Sequence, residues 1–212
     1  VSVADVSTEF GNDIGLKYVT GCSPIKKSTS KKETETTKNN PTIPGLTFTP
    51  ISVEAPSVQI LLAEYYQELN IRIEGGFDHN NSTHGDVAST APPNGIFLLV
   101  EMDKVPVGIG AIKTESSTSL QKIGELKRMY LQPSVRSQGI GQLLVKELLN
   151  WGRKLGMESI RLDSNRALSN AIGMYRSCGF VDIPRYNWHP YGDVWLGYDL
   201  TNVEEEEEEE EE

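Results

Sequence analysis

The stretch that decides the fold is Arg136-Ser137-Gln138-Gly139-Ile140-Gly141, which reads R-x-x-G-x-G and follows an alternating apolar segment. Apolar residues come after the glycines at helical spacing, namely Leu143, Leu144, Leu148, Trp151 and Leu155. A helix that opens with glycines leaves its first backbone N–H groups bare, and these donors, with the helix dipole, favour a phosphate-bearing ligand. Arg136 adds a positive charge at the same place. The stretch therefore predicts a site for a phosphorylated cofactor at a strand–helix junction.

Two familiar phosphate-binding loops do not fit this stretch. A Walker loop needs Gly-Lys-Ser/Thr at the helix start, but Gly141 is followed by Gln142. A dinucleotide fingerprint needs a third glycine where Leu144 stands, and its acidic partner after the next strand is missing as well. The loop belongs to neither class.

The rest of the chain alternates between strand-like and helix-like patterns. We expect the order β-α-β-β-β-α-β-α-β-β, which indicates a mixed α/β (α+β) sheet flanked by helices. The pair of strands joined by Met102-Asp103-Lys104 reads as a hairpin. The expected strands cover 46–53, 96–101, 105–113, 123–131, 159–162, 180–183 and 194–200, and the expected helices cover 56–70, 140–155 and 168–178.

Composition divides the chain into three parts. Residues 1–45 are rich in Ser, Thr, Lys and Asn without a hydrophobic period, so we expect a disordered N-terminal arm. Residues 46–203 form the expected domain, and residues 204–212 are an acidic poly-Glu tail. Most of the formal net charge of −10 comes from that tail, so the low pI says little about the substrate of the domain. Residues 74–94 read as a long loop, either a substrate lid or a disordered segment.

A second motif stands at a fixed distance from the glycine loop. Residues 129–141 read M-Y-L-Q-P-S-V-R-S-Q-G-I-G, and residues 171–180 read A-I-G-M-Y-R-S-C-G-F. Together they closely resemble the acyl-CoA-binding core of the GNAT superfamily of N-acetyltransferases. The resemblance covers about residues 46–200 and is strongest over 123–183. It implies a GNAT-like mixed, mostly antiparallel sheet whose central strand pair is splayed.

The resemblance implies an acetyl-CoA-dependent N-acetyltransferase in which an amine attacks the thioester directly. Backbone groups of 129–131 would bind the pantetheine arm, one N–H near Tyr130 would polarise the thioester carbonyl, and 136–141 would cradle the pyrophosphate. Many family members carry Asn where this chain has Leu168, so Asn165 and Asn170 are expected substitutes for a cofactor hydrogen bond. The expected cofactor-binding residues are Met129, Tyr130, Leu131, Arg136, Ser137, Gln138, Gly139, Ile140, Gly141, Asn165 and Asn170.

Two residues are candidates for proton transfer. By the resemblance, Tyr175 would protonate the departing thiolate, although its place in an apolar stripe also fits a core aromatic. Glu125 would take the proton from the amine, with an ion-paired strand glutamate as the alternative. Strict alternation along the strand puts Glu125, Lys127, Met129 and Leu131 on one face of the sheet.

By the resemblance, the acceptor pocket is expected beside the turn before the last strand. The residues assigned to it are Arg185, Tyr186, Asn187, Trp188 and His189, with Arg185 as a carboxylate clamp. Aromatic residues in a closing hairpin also fit a simple core. No metal site is expected, because His79 and His84 lack a third ligand, and Cys178 reads as a packed residue.

The charge and hydropathy pattern bounds the partners. The expected acceptor is a small-molecule or amino-acid-like amine, without nucleic-acid or membrane partners; a homodimer and a basic protein bound by 204–212 are further expectations. No run of 18 apolar residues occurs, and residues 1–10 do not read as a signal peptide, so the expected compartment is the cytoplasm, or alternatively the nucleus. Alternatives to the small-molecule enzyme are a non-catalytic acyl-CoA sensor and a protein or histone acetyltransferase recruited through the tail.

Overall fold

A computed structural model describes residues 43–78, 87–117 and 122–201 of the chain. The predicted arm up to residue 42, the tail from residue 202, and the histidines at 79 and 84 lie outside these residues. The elements are β1 (Leu46–Pro50), α1 (Pro56–Arg72), β2 (Gly95–Met102), β3 (Val105–Ser117), β4 (Lys122–Leu131), α2 (Ile140–Lys154), β5 (Ser159–Ser164), α3 (Ser169–Ser177), β6 (Val181–Asp182) and β7 (Val194–Asp199).

The order of helices and strands is the one that the sequence predicts. The strands form one seven-stranded sheet in the order β1-β2-β3-β4-β5-β7-β6. Every neighbouring pair is antiparallel except β4 and β5, which run parallel. The hairpin between β2 and β3 turns at Asp103 and Lys104, whose φ values of 49° and 66° fit the type I′ turn that matches strand twist. The predicted fold class is confirmed.

The helices cover opposite faces of the sheet. Helix α1 begins with Pro56, whose fixed φ suits the first helical position, and it packs Val58, Leu61 and Leu62 against one face. The partners on that face are Phe97, Leu99, Ile109, Ala111 and Tyr130. Helix α2 packs Ile140, Leu144, Val145, Leu148 and Leu149 on the other face, together with Ile172 and Tyr175 of α3.

Strands β4 and β5 pair for only three residues. Their register joins Ile123 to Ser159, Gly124 to Ile160 and Glu125 to Arg161, and then the strands separate. The splayed central pair expected from the sequence is therefore present. None of the helices in the described part of the chain combines the length and apolar character needed to cross a lipid bilayer.

Candidate active site

Two cavities meet at the opening between β4 and β5. One, of about 490 Å³, is lined by the glycine loop, and we call it the loop cavity. The other, of about 140 Å³, is lined by Tyr65, Tyr66, Phe77 and Tyr191, and we call it the ring cavity. Residues lining both are Tyr65, Met129, Leu168, Ala171 and Tyr175. A ligand in one cavity can therefore touch a ligand in the other at the strand opening.

The backbone of the glycine loop turns sharply before α2. Ser137 and Gly139 have φ values of 62° and 81°, in the left-handed region, and the helix begins at Ile140. The first N–H groups of a helix have no intrahelical partner, and Ser137, Gly139, Gly141 and Gln142 line the loop cavity. The structure therefore has bare amides at the junction where the sequence predicts an anion-binding site, and their binding role stays a prediction.

Two residues of the predicted loop set do not reach the cavity with their side chains. Ile140 is buried in the core under the helix. The Gln138 amide nitrogen donates instead to the backbone carbonyl of Ser134, at 3.4 Å. Any contribution of these two residues to a ligand would come from the main chain.

Arg136 is already neutralised by a carboxylate of α1. Its Nη1 and Nη2 donate to Oε1 and Oε2 of Glu68 at 3.0 and 2.5 Å, and its Nε donates to the backbone carbonyl of Leu131 at 2.8 Å. The hydrogen bond from Arg136 lowers the pKa of Glu68, and Arg72 adds to the effect. Glu68 and Arg136 both line the loop cavity, so an anion there meets a cation that is already paired.

A bulge at Arg128 changes which side chains of β4 face which helix. Tyr130 pairs with Ile109 but Lys127 pairs with Ala111, and Arg128 has a φ of 55°. As a result, Leu126, Met129 and Leu131 pack on the α2 face, whereas Tyr130 packs on the α1 face. Glu125 and Lys127 face the α1 side, where Ala111, the partner of Lys127, also packs. The prediction that Glu125, Lys127, Met129 and Leu131 share one face is therefore wrong across the bulge.

Tyr130 packs on the α1 face and also lines the loop cavity. Its hydroxyl donates to Oε2 of Glu64 at 3.2 Å, and burial together with Glu64 raises its pKa to about 12. The phenol is therefore held by a carboxylate of α1 and stays protonated near neutral pH.

Tyr175 lies on α3 where the two cavities meet. It is 6% exposed and packs against the Phe180 ring at 5.9 Å between centroids. Burial raises its pKa, so the phenol stays protonated near neutral pH. Among the described residues no group hydrogen-bonds its hydroxyl. The ring therefore belongs to the core and the residue also lines both cavities, and its role as an acid stays a prediction.

A cluster of paired charges lies beside the ring cavity. Glu125, only 2% exposed, accepts from Lys127 Nζ at 2.9 Å, from the Tyr186 hydroxyl at 2.9 Å, and lies 3.2 Å from Lys113 Nζ. Lys127 also donates to Asp163 at 2.9 Å. Burial alone would lower the pKa of Lys127, but Glu125 and Asp163 outweigh it and raise the pKa. Two lysines and two carboxylates thus balance one another in this cluster.

His189 lies beside the same cluster and lines the ring cavity. Its Nδ1 is 3.3 Å from Oδ2 of Asp163, without hydrogen-bond alignment. Burial lowers the pKa of His189, and Asp163 opposes this only in part. The ring is therefore neutral at pH 7, the form that can accept a proton.

The other predicted acceptor residues lie around the cavity rather than in it. The Asn187 side chain bridges Asp163 and Trp195, and the Tyr186 ring stacks under Arg161. Trp188 is 86% exposed and stacks with Arg185 at 4.0 Å, and Arg185 donates to the Asn187 carbonyl. Of the five, only His189 lines the ring cavity.

The two asparagines expected to bind the cofactor line different cavities. Asn170 lines the loop cavity. Asn165 instead accepts from the N–H of Ala167 and donates to the Tyr191 carbonyl at 2.8 Å, so it holds a turn beside the ring cavity. Its side chain is occupied there, away from the loop cavity.

Several cavity residues were missed by sequence reasoning. Phe77 and Tyr191 pack at 4.7 Å between ring centroids although they are far apart in the chain, and no local pattern indicates such a pair. The helical stripe of α1 does contain Tyr65 but reads as core. The missed lining residues are Tyr65, Tyr66, Glu68, Phe77, Arg128, Asp163 and Tyr191.

Comparison with known proteins gives one consistent family. The model of the Acetyltransferase (GNAT) family matches residues 59–180. An uncharacterised N-acetyltransferase of Schizosaccharomyces pombe is 30% identical over 137 residues, which is 64% of this chain and 82% of that protein. The IAA acetyltransferase of Azospirillum brasilense is 31% identical over 143 residues, which is 67% of this chain and 89% of that protein.

The fold is also similar to that of solved acetyltransferase structures. An acetyltransferase from Salmonella typhimurium, whose structure was solved with its cofactor acetyl-CoA, superposes with a TM-score of 0.53 at 16% identity. The match covers 76% of this chain and 96% of that one.

Proposed function

This chain belongs to the GNAT acetyltransferase family and is an acyltransferase, and we propose that it moves an acetyl group from acetyl-CoA directly to a small-molecule amine. The observation that carries the proposal is the meeting of two cavities at the β4–β5 opening, with Met129 and Tyr175 lining both. Acetyl-CoA, which the Salmonella relative binds, occupies the loop cavity, and the amine enters through the ring cavity.

Backbone groups make most of the contacts to acetyl-CoA. The amides at the start of α2 bind the pyrophosphate, because they are bare donors at the positive end of a helix. Met129–Leu131 of β4 lie past the last β4–β5 pair, so their backbone groups on the open edge bind the pantetheine arm. An N–H near Tyr130 polarises the thioester carbonyl, where negative charge develops during attack. Asn170 adds a side-chain contact in the same cavity.

Tyr175 is the proposed acid. The amine nitrogen bonds to the thioester carbon, the C–S bond breaks, and the thiolate takes a proton from the Tyr175 hydroxyl. A phenol with a raised pKa is fully protonated at neutral pH and is regenerated by the proton that the amine releases. No covalent enzyme intermediate is needed: burial raises the pKa of the Cys178 thiol, which makes it a poor nucleophile.

His189 is the base that the contacts favour. The sequence nominates Glu125, but that carboxylate is occupied by two lysines and by Tyr186 and does not line the ring cavity. His189 lines the cavity, is neutral because of burial, and is flanked by Asp163, which stabilises the imidazolium that forms. Glu125 then acts as a positioning residue that fixes Lys127 and Tyr186.

The size and charge of the ring cavity favour a small acceptor. A volume of about 140 Å³ suits a molecule of amino-acid size rather than a polypeptide. Basic peptides need an acidic groove, whereas here the acidic Glu125 and Asp163 are matched by lysines. A protein acceptor recruited by residues 204–212 remains the second candidate, and the following experiment separates the two.

The test is thiol release from acetyl-CoA by the full chain, with a panel of small amines and basic peptides as acceptors. The expected result is turnover with small amines and none with peptides. Turnover with peptides alone, lost on removal of 204–212, would instead identify a protein acetyltransferase. Tight acetyl-CoA binding without any turnover would point to a sensor instead. His189→Gln should lower kcat about 100-fold with unchanged acetyl-CoA affinity, a typical general-base effect. A 100-fold fall of kcat in Glu125→Gln, with no change in His189→Gln, would assign the role of base to Glu125.

A further inference from the structure

Arg128 is a cation without a partner in the ring cavity. It is half-buried, lines the cavity, and makes no hydrogen bond or ion pair with any residue in the described ranges. The three other basic side chains around it are accounted for: Lys113 and Lys127 are paired with Glu125 and Asp163, and His189 is neutral. Among the described residues that line or border the cavity, the Arg128 charge is therefore the one that no carboxylate matches.

The bulge in β4 is what brings this charge to the cavity. A non-glycine residue with a φ of 55° is uncommon, and here it lies directly before Met129, which lines both cavities. Strained backbone of this kind persists where the surroundings hold it, and it clusters at ligand sites. Arg128 thus lines the ring cavity and is the sequence neighbour of Met129, which lines both cavities.

The cavity walls around Arg128 are aromatic. The rings of Tyr66 and Phe77 stack at 5.9 Å between centroids, and Phe77 meets Tyr191 at 4.7 Å. An acceptor that fills this space therefore needs an apolar or aromatic group beside its polar end. An unpaired guanidinium in such surroundings selects a carboxylate, which it binds through two parallel hydrogen bonds.

We propose that Arg128 is a carboxylate-binding residue of the acceptor site and that the acceptor is an amino acid with an apolar or aromatic side chain. The proposal rests on the function proposed above and narrows its substrate class.

The experiment compares two acceptors that differ only in the anionic group, L-phenylalanine and its carboxamide. For the wild type, kcat/KM is measured for both, and Arg128→Gln, Arg185→Gln and the surface variant Arg153→Gln are measured alongside. Arg128→Gln should lower kcat/KM for the amino acid about 10- to 100-fold, mainly through KM, as expected for loss of a charged hydrogen-bond pair. The kcat/KM of Arg128→Gln for the carboxamide should stay within about twofold of the wild type, and so should its Kd for CoA. Arg153→Gln should change neither.

The two acceptors differ in the basicity of their amines. For each acceptor the kcat/KM of a variant is therefore divided by that of the wild type, which removes this difference. An equal loss on acid and carboxamide in Arg128→Gln overturns the assignment, and so does a selective loss in Arg185→Gln alone. Because Arg128→Gln could disturb the bulge, the wild type supplies a second criterion: an amino acid used no better than its carboxamide also overturns the proposal. Turnover of other amines in that case leaves the acetyltransferase intact, whereas absence of turnover with every acceptor overturns both.

Discussion

Arg136 of the glycine loop and Glu68 of α1 are joined by two hydrogen bonds, at 3.0 and 2.5 Å, across 68 residues of sequence. The pair ties helix α1 to the loop that we propose binds the cofactor phosphates. An acidic side chain beside an anion-binding loop opposes the phosphates electrostatically. Cofactor binding and the position of α1 are therefore linked.

Replacing Glu68 should strengthen cofactor binding. In Glu68→Gln the Arg136 guanidinium is no longer neutralised, so it can attract the diphosphate, and we expect the Kd for CoA to fall about 3- to 10-fold. The free energy of unfolding should fall by about 1 kcal/mol, because the ion pair is partly solvent-screened. Calorimetric titration with CoA at low and high salt measures the first effect, with the exposed Glu158→Gln as the matched control. A weaker affinity in Glu68→Gln would mean that Glu68 holds Arg136 in its binding position.

Removing the Tyr175 hydroxyl should affect the chemistry and spare binding. In Tyr175→Phe we expect kcat to fall about 100-fold with little change in KM, because general-acid groups contribute on this scale. Stability should change by less than about 0.5 kcal/mol, since no described residue hydrogen-bonds the hydroxyl. Steady-state thiol release together with thermal unfolding checks both expectations. A kcat within twofold of the wild type would leave Tyr175 as a core aromatic only.

Replacing two glycines of the site region by alanine should change the stability of the chain in opposite directions. Gly139 has a φ of 81° at the start of α2, so Gly139→Ala should cost about 1 kcal/mol of stability and misdirect the loop amides, raising the Kd for CoA about tenfold. An added Cβ at Gly173, inside α3, meets no atom within 4 Å, so Gly173→Ala should stabilise the chain by about 0.5–1 kcal/mol. Thermal unfolding and CoA titration of both variants test the pair. Equal stability changes would show that the φ at Gly139 is not under constraint.

The sequence predicts the frame of the site better than its interior. The element order follows from periodicity and the loop at 136–141 from its glycines, whereas the splay between β4 and β5 is what the family resemblance implies. The bulge at Arg128 does not, because an extra residue in a strand leaves the hydrophobic pattern before and after it intact. Strict alternation therefore misassigned the faces of Met129 and Leu131.

Partners that come from distant segments were also beyond sequence reasoning. The ring pair of Phe77 and Tyr191 and the Glu68–Arg136 pair depend on how elements pack, not on local spacing. For the same reason, the aromatic run around Trp188 was assigned to the acceptor pocket as a block. In the folded chain only His189 of the five predicted residues lines the cavity, while Arg185 and Trp188 stack on each other outside it.

The stability of the chain should depend on pH through His189. Burial holds the pKa of His189 below its usual value of about 6.5, with Asp163, Glu125 and Lys127 as the charged groups around it. The unfolded state then binds more protons, so the free energy of unfolding falls as pH is lowered through about 6.5, by up to about 1.4 kcal/mol per pKa unit. The shifted carboxyls Glu68 and Asp163 titrate below this window, because their pKa values are lowered.

Urea unfolding between about pH 7 and pH 5 measures that slope, and His189→Gln should remove it. The ring resonances of His189 in an NMR titration give the pKa directly. An unchanged slope in His189→Gln would mean that His189 titrates normally, and it would weaken its assignment as a neutral base.

The central claim is that the amine attacks acetyl-CoA directly where the two cavities meet. Initial velocities measured with both substrates varied test it most directly, with the intact mass of the protein recorded after incubation with acetyl-CoA alone. We predict intersecting double-reciprocal lines and an unmodified protein mass. Parallel lines, together with a protein that gains one acetyl group on Cys178 or elsewhere, would contradict the account.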